Sequence, residues 1–98
     1  MSASRLSTAA LIRKVAKAHG WTYAVTSTEG VLLNHPSGDY IFLHFSASGA
    51  LLRVECNKAY KTLPRGLRAY RRATLGPRDK NKRIRVIDWL ITPSGEKI

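Results

Sequence analysis

Turn-forming residues interrupt the first half of the chain at short, regular intervals. After Gly20, three clusters run from Ser27 to Gly30, from Pro36 to Asp39 and from Ser46 to Gly49. The segments between these turns are five or six residues long and rich in β-branched, aromatic and aliphatic residues. Short apolar runs between turns are typical of β-strands. The spacing therefore predicts an antiparallel meander after Gly20.

Four strands are predicted in this region, over residues 21–26, 31–35, 40–45 and 50–56. The segment from Tyr40 to Phe45 is apolar nearly throughout, which favours a strand in the middle of a sheet. In the fourth segment Leu52, Val54 and Cys56 alternate with Leu51, Arg53 and Glu55, as in a strand with one buried face.

Two helices are predicted on either side of the meander. Ser7 or Thr8 can cap the first, which carries an apolar stripe and stops at Gly20. The second is predicted from Pro64 to Leu75, before Gly76 and Pro77. On a helical wheel its apolar face holds Leu63, Leu67, Tyr70 and Thr74, and its opposite face forms a ridge of Arg65, Arg68 and Arg72. Tyr70 is accordingly predicted to lie in the core.

The last apolar block, Ile84 to Ile91, is predicted to be a strand that carries Trp89. With 98 residues, the chain is expected to form one domain over 1–98, frayed at 1–6 and 92–98. The predicted fold class is α+β: an antiparallel sheet of about four to five strands packed by two helices, in the order α-β-β-β-β-α-β.

Positive charge is concentrated in one stretch of the sequence. Residues 58–85 hold eleven lysines and arginines against Asp79 alone, and so contribute nearly all of the net charge of +11. Crowding like charges opposes folding, and a phosphate-bearing partner would relieve the repulsion. Net charge also promotes solubility, so the excess by itself does not require a ligand.

The basic segment is predicted to bind nucleic acid, RNA or DNA, through phosphate contacts. Tyr60 can stack on a base. The predicted nucleic-acid-binding residues are Lys58, Tyr60, Lys61, Arg65, Arg68, Arg71, Arg72, Arg78, Lys80, Lys82, Arg83 and Arg85.

The first half also resembles a known family. An amphipathic helix is followed by Gly20-Trp21, a turn at Glu29-Gly30, and then His35-Pro36 with Ser37-Gly38 before an apolar strand. Over residues 8–45 this arrangement resembles the HicA-type toxins and their phage-borne relatives, which have a double-stranded-RNA-binding-like α-β-β-β-α fold. The resemblance implies a scaffold that binds RNA and a phage or mobile-element origin. The family's catalytic histidine would fall near Gly30-Val31, where this chain has no histidine.

Other functions find less support in the sequence. Cys56 is the only cysteine, and with three scattered histidines it does not supply the ligand spacing of a zinc site. Glycine-rich nucleotide motifs are absent, so no cofactor and no metal are expected. The single cysteine and the charged N-terminal segment favour a cytoplasmic protein without a membrane span.

Two alternatives remain beside a non-enzymatic nucleic-acid-binding protein. One is a host-interference protein whose basic face grips an acidic host protein. The other is a HicA-like ribonuclease that uses His35 or His44. An exposed strand at Ile84 to Ile91 would also offer an edge through which the chain forms a homodimer.

Overall fold

A computed structural model describes residues 7–62, 64–66 and 68–92 of the chain. Within these ranges it contains one antiparallel sheet and two α-helices. The elements are α1 (Thr8–Ala18), β1 (Thr22–Ser27), β2 (Gly30–Asn34), β3 (Tyr40–Phe45), β4 (Leu51–Thr62), β5 (Arg68–Leu75) and α2 (Lys82–Ile91), with a short 3-10 turn (Pro64–Gly66) between β4 and β5.

The start of the chain folds as its sequence predicts. Ser7 is the N-cap of α1, and its hydroxyl accepts a hydrogen bond of 3.2 Å from the Ala10 amide. Gly20 follows the helix with φ of 83°, a left-handed conformation that glycine adopts without strain. Ile12 and Ala16 are buried along one side of the helix.

The five strands form a simple meander in the order β1-β2-β3-β4-β5, each antiparallel to the next. The three predicted turns join the first four strands. Gly49, in the last of these turns, has φ of 93° and donates its amide to the Ser46 carbonyl at 2.9 Å. The predicted meander is therefore confirmed.

Both helices pack on the same face of the sheet. Helix residues Ile12, Ala16, Val86, Trp89 and Leu90 form one core with strand residues Val31, Leu33, Ile41, Leu43, Val54, Cys56 and Leu75. A second link is polar, since the Trp21 indole donates to the Leu90 carbonyl at 2.9 Å. The result is a two-layer structure, and its other sheet face carries neither helix.

The predicted helix from Pro64 to Leu75 is wrong. Residues 68–75 form strand β5, which pairs with β4 from Thr62↔Arg68 to Val54↔Leu75. Alanine, arginine and leucine have good intrinsic helix propensity, which explains the wrong prediction. Pairing with a neighbouring strand outweighs that weak preference, and Gly66 then belongs to the connection between strands.

The predicted strand at Ile84 to Ile91 is also wrong, because this block forms helix α2. Val86, Trp89 and Leu90 are buried, which is the i, i+3, i+4 spacing of one helical face. A short apolar block rich in isoleucine and valine hides that spacing. The proposed dimer edge at this block is lost with the strand.

The α+β class, with an antiparallel sheet and two helices, is confirmed, although the order is α-β-β-β-β-β-α. The predicted frayed ends fall outside the described residues except for Thr92. This residue is held, because its carbonyl and its hydroxyl both accept from the Lys58 ammonium.

Strand β4 continues beyond the sheet. It pairs with β3 only as far as Tyr40↔Asn57, whereas its pairing with β5 continues to Thr62. The segments 58–62 and 68–71, with the turn at 64–66, therefore form a two-stranded extension that we call the arm. Five residues of strand extend about 16 Å, in keeping with overall dimensions of 52 × 25 × 23 Å.

Asp39 fixes the point where the arm begins. Its side chain is 1% exposed, and Oδ1 accepts a hydrogen bond of 2.8 Å from the Ala59 amide. A β-bulge between Ala59 and Lys61 follows immediately. The carboxylate thus takes the place of a β3 carbonyl as the partner of β4.

We expect Asp39→Ala to lower the free energy of unfolding by about 1.5–3 kcal/mol, because the buried Ala59 amide loses a charged acceptor. Urea denaturation followed by circular dichroism measures this change. Glu29→Ala is the matched control, since it removes one carboxylate from an exposed turn, and its effect should stay within about 0.5 kcal/mol. Equal effects of the two substitutions would contradict the assigned role of Asp39.

Candidate nucleic-acid interface

The arm carries the first group of predicted binding residues. Its sequence from 58 to 71 contains five basic residues and no acid: Lys58, Lys61, Arg65, Arg68 and Arg71. The backbones of Tyr60, Lys61 and Arg68 lie in β4 and β5, and their side chains are outside the described part of the structure. Arg65 and Arg71 are exposed.

Arg65 stands at the tip of the arm in an unusual backbone conformation. Its φ is 67° and its ψ is 21°, in the left-handed region that costs about 1–2 kcal/mol for an L-residue with a side chain. Glycine adopts this conformation without strain, but the glycine of this turn, Gly66, stands one position later. A charged side chain therefore occupies a position where glycine would be less strained.

Like charges face each other at the base of the arm. Lys58 of β4 is directly opposite Arg71 of β5. Cations in register are mutually destabilising. The Lys58 ammonium donates to the carbonyl and hydroxyl of Thr92, so it neutralises the negative end of α2. Lys58 has a structural role besides any contact with a ligand.

A second basic group lies at the far end of β5, in the connection to α2. It consists of Arg78, Lys80, Lys82, Arg83 and Arg85. The eight residues of β5 separate it from the arm tip by about 23 Å. The sequence places all of these residues in one basic segment, and the fold divides that segment into two clusters.

Internal contacts organise this second group. Asp79 Oδ2 accepts from the Gly76 amide at 2.7 Å, and the Lys82 ammonium donates to the carbonyls of Asp79 at 2.6 Å and Pro77 at 3.3 Å. The Arg85 guanidinium lies 5.5 Å from the centre of the Trp89 ring. The first turn of α2 contains no acid, although a helix N-terminus favours negative charge.

The predicted arginine ridge of Arg65, Arg68 and Arg72 does not form, because β5 is a strand. Neighbouring side chains on a strand point to opposite faces. Arg72 points away from the helices, where its Nε lies 3.3 Å from Asn57 Oδ1 and 4.0 Å from Glu55 Oε2. Arg71 points to the helix side.

The sequence prediction missed the sheet face that carries no helix. We call this surface the open sheet face. Its outward residues include Tyr40, Phe42 and His44 of β3, Arg53 and Glu55 of β4, and Tyr70 and Arg72 of β5. The Tyr40 ring centre lies 6.0 Å from that of Phe42 and 5.3 Å from that of Tyr70, with both pairs edge to face. Tyr70 is 39% exposed, so its predicted place in the core is wrong.

A period-two signal for this face was present in the sequence. From Tyr40 to Phe45 the buried residues Ile41 and Leu43 alternate with Tyr40, Phe42 and His44. Because Tyr and Phe also count as apolar, the alternation was hidden in a run that looked uniformly buried.

The groups with nucleophilic or acid–base chemistry are dispersed. His35 Nδ1 accepts from the Ser37 amide at 3.0 Å, and its ring centre lies 5.1 Å from that of Trp21. His44 is exposed on the other side of the sheet from the core. Burial raises the pKa of the Cys56 thiol to about 12, which keeps it protonated and unreactive at neutral pH.

Within residues 7–62, 64–66 and 68–92, no cluster of three His, Cys, Asp or Glu side chains is arranged to hold a metal ion. Neither of the two helices in these ranges has the length and apolar character to cross a bilayer. No family model, curated protein or solved structure compared with the chain matches it.

Replacing Arg65 tests whether the arm tip is strained. We expect Arg65→Gly to leave the free energy of unfolding unchanged or raise it by up to about 1 kcal/mol, because relief of the left-handed strain offsets the flexibility of glycine. The same exchange at Arg53, near the start of β4, should lower it by about 0.5–1 kcal/mol. Thermal and urea unfolding of both variants gives the comparison, and a larger loss at Arg65 than at Arg53 would contradict the strain.

Proposed function

We propose that this chain is a non-enzymatic nucleic-acid-binding protein of the cytoplasm, which holds the phosphate backbone of RNA or DNA with its arm. The observation that carries the proposal is the arm itself. Five basic residues and no acid lie on a two-stranded ribbon that leaves the sheet beyond Asn57.

The charge of the arm is difficult to explain by the stability of the fold. Lys58 and Arg71 are in register, and the sequence from 58 to 71 contains no acidic residue. Like charges opposite one another on two strands are destabilising. Phosphates would add negative charge next to these cations, and they would release condensed counterions when the arm neutralises them.

The shape of the arm suits a nucleic acid. Paired strands are about 4.8 Å apart, and the major groove of B-DNA, about 12 Å wide, admits a two-stranded ribbon. Guanidinium groups also bind phosphate oxygens in bidentate geometry along any exposed backbone. Arg65 at the tip and Arg71 at the base present such groups at the two ends of the arm.

The second basic group extends the same surface. Residues 78–85 lie at the other end of β5, so a polyanion that follows this edge strand reaches both groups. A separation of about 23 Å along β5 corresponds to about seven base pairs, at about 3.4 Å for each. One short nucleic-acid segment is long enough to contact both.

The test compares two variants with the same change of charge. Arg65→Gln with Arg71→Gln alters the arm, and Lys14→Gln with Lys17→Gln alters the exposed side of α1. Fluorescent single-stranded RNA, double-stranded RNA and duplex DNA are titrated with each protein at several salt concentrations. We expect the arm variant to bind more weakly and to reduce the slope of log K against log salt by about 1.4–1.8, because two phosphate contacts are lost.

The α1 variant should retain the wild-type slope, since it removes charge from another part of the molecule. Weak binding of all three probes near physiological salt would rule out the proposal. So would equal losses in the two variants. A single saturable acidic protein partner, lost in the arm variant, would then identify protein binding instead. Intact probes after prolonged incubation with the wild type are expected of a protein that does not cleave RNA.

A further inference from the structure

We infer that the open sheet face is a second binding surface, on which the bases of single-stranded nucleic acid stack. This inference rests on the proposed function and adds to it. The arm would hold phosphates, whereas the open sheet face would hold bases without reading their sequence.

The aromatic rings of this face are arranged as a platform. Tyr40 contacts Phe42 and Tyr70 edge to face, at 6.0 and 5.3 Å between ring centres. Edge-to-face pairs are favourable and restrict ring motion. Beneath them Asn57 and Ala59 are buried. The rings are therefore held in place and are still partly exposed to solvent.

Burial within the chain does not account for these three rings. The core lies on the helix side of the sheet, and none of the three belongs to it. A sheet face that served only to meet water would carry polar residues, as is usual for antiparallel sheets with one solvated face. Aromatic residues that project from a sheet are the means by which several RNA-binding modules stack bases.

Charge on the open sheet face favours a nucleic acid over another partner. Arg53 and Arg72 are exposed on the same face of the sheet as the aromatic rings. Among the described strand residues of this face the acid is Glu55, whose Oε2 is 3.2 Å from Asn57 Nδ2 and 4.0 Å from Arg72 Nε, so its charge is partly offset. A second copy of the chain would bring together two molecules of net charge +11, which repel each other.

Continuity with the arm supports the same occupant. Tyr70 and Arg72 belong to β5, the strand that also forms one side of the arm. A nucleic-acid strand whose phosphates contact the arm, and which crosses the edge of the sheet at β5, would therefore pass next to the rings. Because stacking needs unpaired bases, the ligand of this face is single-stranded.

The experiment compares strands that differ only in their bases. An unstructured oligopyrimidine of about twelve nucleotides is titrated beside a strand of the same length with abasic residues at its centre. The abasic strand keeps the phosphates and loses the stacking. We expect wild-type protein to bind it about 5- to 140-fold more weakly for each base that stacks.

A protein variant removes aromatic rings of the platform instead of the bases of the ligand. Phe42→Leu with Tyr70→Leu should weaken binding of the intact strand by a similar factor, leave binding of the abasic strand unchanged, and keep the salt slope of the wild type. Tyr23→Leu is the control, because Tyr23 is an aromatic residue on the helix side of the sheet, 5.4 Å below the Arg13 guanidinium. Unfolding curves confirm that each variant is folded at the temperature of the titration.

Each outcome decides between the proposals. If the abasic strand binds as tightly as the intact one, the platform is overturned, and the proposed function stands provided that the arm variant still weakens binding. If no strand binds, both proposals fail together. If the wild type sediments as a dimer and the Phe42/Tyr70 variant as a monomer, the face binds a second copy of the chain and the platform is again overturned.

Discussion

The pairing of β4 with two different partners is the constraint on which the rest of the structure depends. Over Leu51–Asn57 this strand lies inside the sheet beside β3, and beyond Asn57 it keeps only β5. A ladder that loses a strand leaves an amide without its partner, which is costly when that amide is buried. At Ala59 the Asp39 carboxylate accepts the hydrogen bond from this amide, and a carboxylate is a stronger acceptor than the missing carbonyl. The end of the sheet is thus also the anchor of the arm.

The same region ties the second layer to the first. Helix α2 begins near the end of β5 and runs back along the sheet until Thr92 reaches Lys58, at the base of the arm. The Trp21 indole donates to the Leu90 carbonyl. The carbonyls of Leu90, in the last turn of α2, and of Thr92, its C-cap, therefore have side-chain donors from distant parts of the chain. Both contacts fix the end of α2 near the base of the arm, where the basic arm extends beyond the packed core.

Local signals decided what could be predicted from the sequence. The first helix and the first three turns each rest on residues whose preference acts within a few positions, such as Ser7 and Gly20, and these elements were confirmed. The last two elements were predicted as a helix followed by a strand, whereas the structure has strand β5 followed by helix α2. The reason for this error is different. Residues 68–75 have helix-forming composition but find a strand partner at 54–62, which is a distant pairing that composition does not encode.

The same distinction between local signals and distant pairing applies to the candidate site. The concentration of charge at 58–85 is a property of the sequence, and the residues of that segment were named from it. Their division into an arm and a group beside α2 depends on the fold. The open sheet face was missed because Tyr40 and Phe42 are ambiguous between core and surface until the position of the helices is known.

Side chains alternate between the two faces of the sheet along β5, and this alternation determines how one ligand would contact both the arm and the open sheet face. Tyr70 and Arg72 point to the open sheet face, whereas Arg71 points to the helix side. A ligand that contacts both sets must therefore pass around the edge of the sheet that β5 forms. Basic residues on an edge strand also oppose its pairing with another strand. The basic residues that oppose strand pairing at this edge are therefore also residues that would attract a flexible polyanion.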